Sequence, residues 1–288
     1  MAPVFTHPMS DRTVLDLIWT ICDALFRWAH VAGVAAWLGA VWALHFLRER
    51  TADPERAARA LAHPLAPRAL AFLRHAAGLA WTSGMLLLFS HYYHGLLGPV
   101  LLDGALSLEL QESLLKENGE PSMRAWLPGF LSLLVGWGLY ELLFSFARAA
   151  WLRALAALVA CAVWLALGYT LDEHFHYSAR AAWTHLGAIG GSALAASLWF
   201  RIWPAQQTLL EQAQRSQPLD VAALAFVRER LTHAAYIALV VLMFMLSNHY
   251  PLLFGGNPWP WPAVAAGVMV LGALAVTGAD RLVRPRQR

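Results

Sequence analysis

The sequence predicts an all-α fold: a polytopic membrane bundle of seven transmembrane helices, N-terminus outside and C-terminus inside, forming one domain over residues 1–288. Three observations predict it. The chain is 59% hydrophobic and only 14% charged, where a soluble domain carries roughly a quarter charged residues. Apolar stretches of about 20 residues recur along it, the length that crosses a hydrocarbon core. The loops between those stretches alternate in charge, the pattern that sets orientation in a bilayer.

The first span, 15–47, is long and begins as an interfacial turn near Asp16. The loop 48–68 is basic, with Arg48, Arg50, Arg56, Arg59 and Arg68. The second span covers 69–95. The periplasmic loop that follows, 98–125, is the largest outside feature and is acidic, with Asp103, Glu109, Glu112, Glu117 and Glu120; its stretch Leu106 to Lys116 is suited to a short surface helix. The third span, 126–147, and the fourth, 151–171, meet at a tight turn with Arg148 and Arg153. Asp172 and Glu173 precede the fifth span, 180–203. The cytoplasmic loop 204–228 brings Arg215 and Arg228, flanked by Arg201 and Arg230. The sixth span, 229–250, and the seventh, 261–283, are joined by an uncharged loop, and the tail is basic. Basic loops face the cytoplasm, and every loop agrees with one orientation.

Composition also removes function classes. The formal charge of +3 is carried almost wholly by arginines in short loops (Lys116 is the sole lysine), which suits topology control rather than nucleic-acid binding. Cys22 and Cys161 lie far apart, with no C-x-x-C-H for a covalently attached haem and no thiolate cluster for zinc or iron–sulfur. Residues 1–16 lack the basic region, short apolar run and small-residue site of a cleaved signal peptide.

The twelve histidines are the informative feature. An ionisable side chain inside a bilayer is costly, so an intramembrane histidine marks function. His30, His91, His94, His185 and His249 fall in the outer half of the bundle, and His45, His75 and His233 in the inner half. His75/His91 and His233/His249 are each sixteen residues apart, a rise of about 24 Å against a core of about 30 Å. Two stacked sites follow, and neutral histidines in a dry pocket suit haem b. In this reading His249 with His185 or His30 holds an outer haem iron, and His75 with His233 holds an inner one, with His91 a further candidate ligand. One geometric objection stands: positions sixteen apart point about 160° away from each other on a straight helix. Small residues of the fifth span (Gly187, Gly190, Gly191) let a flat macrocycle approach, although they equally serve helix packing. His7, His63, His174 and His176 read as solvated loop residues, and His45 as ligand or as an interfacial side chain.

Other intramembrane polar groups add to this. Arg27, one turn before His30, suits a propionate or an anionic substrate, or an interfacial anchor. Glu141 suits a proton path or a quinone site near His233, or a snorkelling carboxylate. Asn248 suits orientation of His249 or substrate binding.

Several short runs carry a resemblance: Arg27-Trp28-Ala29-His30, Trp81-Thr82-Ser83-Gly84, Gly136-Trp137 with Tyr140-Glu141, His185-Leu186-Gly187-Ala188, and Ser247-Asn248-His249-Tyr250-Pro251. Over about residues 20–255 the chain resembles the membrane domain of bacterial cytochrome-linked urate hydroxylases, the urate oxidase N-terminal membrane-domain family. The resemblance supports His30, His185, His233 and His249, while the second haem rests on spacing alone. It implies a bacterial inner-membrane oxidoreductase that passes electrons from a purine such as urate, or from a partner dehydrogenase, to quinone or cytochrome c. Family members carry a further span and an outside cytochrome c domain, whereas this sequence has no C-x-x-C-H. Two other readings stay open: a non-catalytic, haem-bearing anchor subunit of a soluble dehydrogenase, and a copper transporter using His and Met.

Overall fold

The computed structural model describes residues 11–47, 53–94, 101–102, 107–147, 149–250 and 260–283. Ten α-helices make up nearly all of this: α1 (Asp11–Leu47), α2 (Pro54–Ala62), α3 (Ala66–Leu88), α4 (Leu108–Leu114), α5 (Met123–Phe146), α6 (Ala150–Glu173), α7 (Ala179–Ser197), α8 (Trp203–Gln214), α9 (Val221–Leu246) and α10 (Trp261–Val283). Every segment expected to span lies on one of the long helices. His7, Arg48, Arg50, Asp103, Arg148, Pro251 and the basic tail from Arg284 lie outside the described residues.

Five helices are long and apolar enough to cross a membrane: Leu17–Leu47, Met123–Phe146, Trp151–Glu173, Val221–Leu246 and Trp261–Leu282. The other two expected spans are less apolar for visible reasons. Helix α3 carries Arg68, Arg74 and His75, and α7 is diluted by Gly, Ala, Ser and Thr.

The ends obey local chemistry. Asp53, Ser178 and Asp220 cap α2, α7 and α9 by accepting from backbone N–H groups of the first turn. Ser107 does the same for the surface helix α4, inside the stretch expected to form one. Two expectations need correction. The fifth helix does not stop near 203: a π-helical turn, Leu198–Ile202, carries the chain into α8. Pro204 is tolerated because it sits in the first turn after the junction, where its missing N–H matters least. The sixth helix starts at Val221 rather than 229, at its Asp220 cap, so most of the expected loop 204–228 is helical.

Helix α1 packs along α3, and α5 and α9 both pack on α7. Helix α7 is the axis of the bundle, buried along almost its whole length from Ala181 to Ser197. Its glycines are filled by neighbours. A Cβ on Gly187 would stand 3.0 Å from Met245, and one on Gly190 2.4 Å from Trp164 and 2.7 Å from Val241. These small residues bring helices together. Helices α1 and α3 also approach closely, and a Cβ on Gly33 would stand 2.7 Å from the Ala80 nitrogen.

Candidate functional site

The end of the bundle that carries α4 holds the first histidine cluster. Pro128 interrupts α5, and the hydrogen-bond ladder beside it is repaired by a side chain from another element. The Tyr177 hydroxyl accepts from Gly129 N–H (3.0 Å) and donates to the Ala125 carbonyl (2.8 Å), so it sits between two groups that would otherwise bond each other. Burial pushes the Tyr177 phenol above its ordinary range, which keeps it a donor. His185 packs edge-on against that ring, with centroids 5.1 Å apart. It is fully buried. Its Nδ1–H donates to Ala181 O (2.7 Å) and its Nε2 accepts from the Tyr93 hydroxyl (2.9 Å). A Cβ on Gly129 would stand 2.6 Å from Nε2, so only glycine leaves room for this histidine.

The α1–α3 seam holds the second cluster. His30 Nδ1–H donates to Ala80 O (2.8 Å), and a Cβ on Gly84 would stand 2.8 Å from its ring. One turn earlier, Arg27 pairs with Asp23 (2.7 Å) and donates to His91 Nε2 (2.6 Å), while His91 Nδ1–H points at Leu87 O (3.0 Å). Asp23 stands 3.2 Å from the same His91 nitrogen.

At mid-bundle, towards the α2–α8 end, Glu141 of α5 gathers three donors. It accepts from Ser197 (2.7 Å) and Arg230 (2.8 Å) and lies 3.5 Å from Arg201. Arg230 is 5% exposed, lies over the rings of Tyr140, Phe226 and Phe144, and its Nη1 has no hydrogen-bond partner among the described residues. Next to it, His233 Nδ1 meets the Tyr140 hydroxyl at 3.1 Å, and its ring stacks on Phe144 at 4.3 Å. His233 opens onto a cavity of about 360 Å³ bounded by α5, α6, α7, α9 and α10.

The expected residues therefore divide. His185 and His30 are built into helix contacts, and Arg27 and His91 are joined directly. Glu141 and His233 neighbour each other through Tyr140 and Arg230. His75 does not join His233: it is exposed, bonded only to Ala71 O of its own helix (2.6 Å), and α3 contributes nothing to the His233 cavity. His249 is exposed in a short 3-10 turn, and the Asn248 side chain lies outside the described part. Among the described residues no group of three or more His, Cys, Asp or Glu gathers as for a bare metal ion.

Several participants were not singled out in the sequence. Tyr93 reads from the sequence as an interfacial aromatic and Arg230 and Arg201 as charges flanking a loop, and Tyr177 carries no signal of its own. His45 is fully buried and bonds Asp280 of α10 at 3.1 Å. Asp280 carried one usable signal, an acidic residue alone in an otherwise basic helix end.

A family model described as urate oxidase N-terminal matches residues 55–277. No curated protein and no solved structure matches the chain. Since the family match covers most of the 288 residues, the chain belongs to the urate oxidase N-terminal family.

Proposed function

We propose that the chain is a membrane redox domain that takes part in oxidising urate or a related purine and passes the electrons to a cytochrome c or a quinone. The family match over residues 55–277 carries this reading. In the bilayer, all seven long helices cross. Helix α3 has 23 residues, a rise of about 34 Å that is enough for a core of about 30 Å, and α7 runs buried between helices that span. Basic residues are in excess at the α2–α8 end, where Arg56, Arg59, Arg68, Arg153, Arg201, Arg215, Arg228 and Arg281 outnumber Asp53, Glu55, Glu211, Asp220, Glu229 and Asp280; at the other end Glu109, Glu112, Glu117, Glu120, Asp172 and Glu173 outnumber Arg27, Lys116, Arg124 and Arg180. This favours the α2–α8 end in the cytoplasm of a bacterial inner membrane.

Haem b suits the donors of the α4 end. His30, His91 and His185 each tie Nδ1 to a backbone carbonyl, which places the proton there and leaves Nε2 with its lone pair outward. That tautomer, fixed by a carbonyl, is the one that ligates metals. His30 is the readiest, because its Nε2 makes no hydrogen bond among the described residues. His91 and His185 would join it only by exchanging the Arg27 or Tyr93 contact, and His249 remains a candidate. Bound there, haem would supply one-electron steps. Arg27, half exposed beside this seam, is the cation available to an anionic purine or a propionate. The inner pair His75/His233 has no shared cavity to fill.

The test is a pyridine haemochrome spectrum of the protein purified in mild detergent, with urate-dependent reduction of added cytochrome c. The expected result is protohaem bound to the chain and urate-dependent reduction that His30→Ala removes. A protein expressed with ample haem that binds none, and reduces nothing with urate, refutes the reading.

A further inference from the structure

The His233 cavity is not absorbed by the haem reading and has its own chemistry. Its walls are aliphatic and aromatic, from Leu139, Leu143, Phe144 and Trp164, and it is widened by small residues including Ala157 and Ala160. Its polar lining includes His233 and Tyr140, which meet at 3.1 Å, with Thr232 and Tyr236. Among the described residues no arginine, lysine or carboxylate lines it. At about 360 Å³ it falls at the lower end of ligand pockets, which run from roughly 300 to 1,000 Å³. That volume takes one substituted ring and not a porphyrin. It lies among α5, α6, α7, α9 and α10, all but α7 apolar enough to cross a membrane, so its occupant arrives through lipid.

We propose that this cavity binds the head ring of a lipid-soluble quinone, with His233 donating to one quinone carbonyl. The occupant must be flat, uncharged and rich in apolar surface, because an anion would find no cation in the lining to offset its desolvation. It must also accept a hydrogen bond. Tyr140 meets Nδ1 at 3.1 Å, and the Glu229 carboxylate lies 3.9 Å from Nε2. With the Tyr140 hydroxyl donating to Nδ1, the ring proton sits on Nε2; Glu229 lies beyond hydrogen-bond distance, so among the described residues this donor has no acceptor. Tyr140 is itself held beneath Arg230, whose second partner is Glu141, so the donor side of the cavity is rigid. A quinone ring with two carbonyl oxygens and no charge meets each demand. The inference deepens the redox reading by naming a place for the acceptor, and it is measured without turnover.

The experiment titrates decylubiquinone into the full chain in nanodiscs of quinone-free lipid. Intact protein is expected to bind saturably, one per chain. Ala160→Phe, which fills the cavity and leaves every polar group in place, should abolish saturable binding. His233→Leu should weaken it roughly tenfold, the worth of one hydrogen bond in a dry site. Folded parent protein that shows no saturable binding overturns the proposal, as does binding unchanged in Ala160→Phe. Loss of haem from His233→Leu, with normal quinone binding in Ala160→Phe, also overturns it and makes His233 a haem ligand. Urate oxidation with added cytochrome c but no decylubiquinone binding refutes this site and keeps the redox reading. Binding sensitive to both substitutions without any urate oxidation supports the site and sinks that reading.

Discussion

Glu141 offers the sharpest test of how the middle of the bundle is held. Its carboxylate is 16% exposed and Arg230 is 5% exposed, joined at 2.8 Å. Replacing Glu141 by Leu leaves the Arg230 guanidinium buried against aromatic faces, with its Nη1 already unpartnered. Breaking one side of a buried ion pair costs about 3–5 kcal/mol, because the remaining charge stays desolvated. The Arg201 contact adds little, since Arg201 is half exposed and 3.5 Å away, and such pairs are worth about 0–1 kcal/mol. The Ser197 hydrogen bond adds about 1 kcal/mol. Glu141→Leu should therefore cost about 4–6 kcal/mol. Arg230→Leu should cost slightly less, because Arg201 and Ser197 still meet the carboxylate. The double variant should recover about 2–3 kcal/mol of the summed loss. Reversible unfolding in mixed detergent and SDS, followed by far-UV circular dichroism, measures all four proteins. A Glu141→Leu protein within about 1 kcal/mol of the parent, or a double variant whose cost equals the sum of the singles, refutes the buried pair.

Three further outcomes follow from the same geometry. Tyr177→Phe removes the hydroxyl that serves both Gly129 N–H and Ala125 O; it should cost about 1–3 kcal/mol for each group left bare, read as a lower melting temperature, and an unchanged one would show that the α5 interruption closes by itself. Gly84→Ala forces a methyl to within 2.8 Å of the His30 ring; it should lower haem occupancy while Gly39→Ala, which meets nothing within 4 Å, leaves it intact. Equal haem in both would remove His30 from the ligand set. Arg27→Ala, at a 56% exposed side chain, should raise KM for urate with little change in melting temperature; a fall in kcat alone would speak against a binding role.

How much of this was legible in the chain depends on the range of the interaction. Each long helix could be read, because an apolar run near bilayer length and a Ser or Asp cap are local signals. The geometric objection to the sixteen-residue pairs holds for a straight helix, and neither pair lies on one: a π turn, Phe89–Tyr93, carries His91 and a 3-10 turn, Ser247–His249, carries His249, so their directions were not legible in the sequence. The continuation of α7 through a π turn was not legible, since Pro204 reads as a stop wherever the turn before it is unknown.

The sequence by itself determined the class of the molecule: a membrane bundle with segregated charge, intramembrane histidines, and the family to which the chain belongs. Tertiary structure alone decided which groups these histidines contact. Gly129 makes room for His185 from another helix, Tyr93 caps its Nε2, Arg27 reaches His91 from α1, and Asp280 meets His45 across 235 positions of chain. The physical reason is that a ring nitrogen's partner depends on the rotation and axial offset of two packed helices. Those are properties of the pair, set by where small residues let backbones approach, and neither helix encodes them alone.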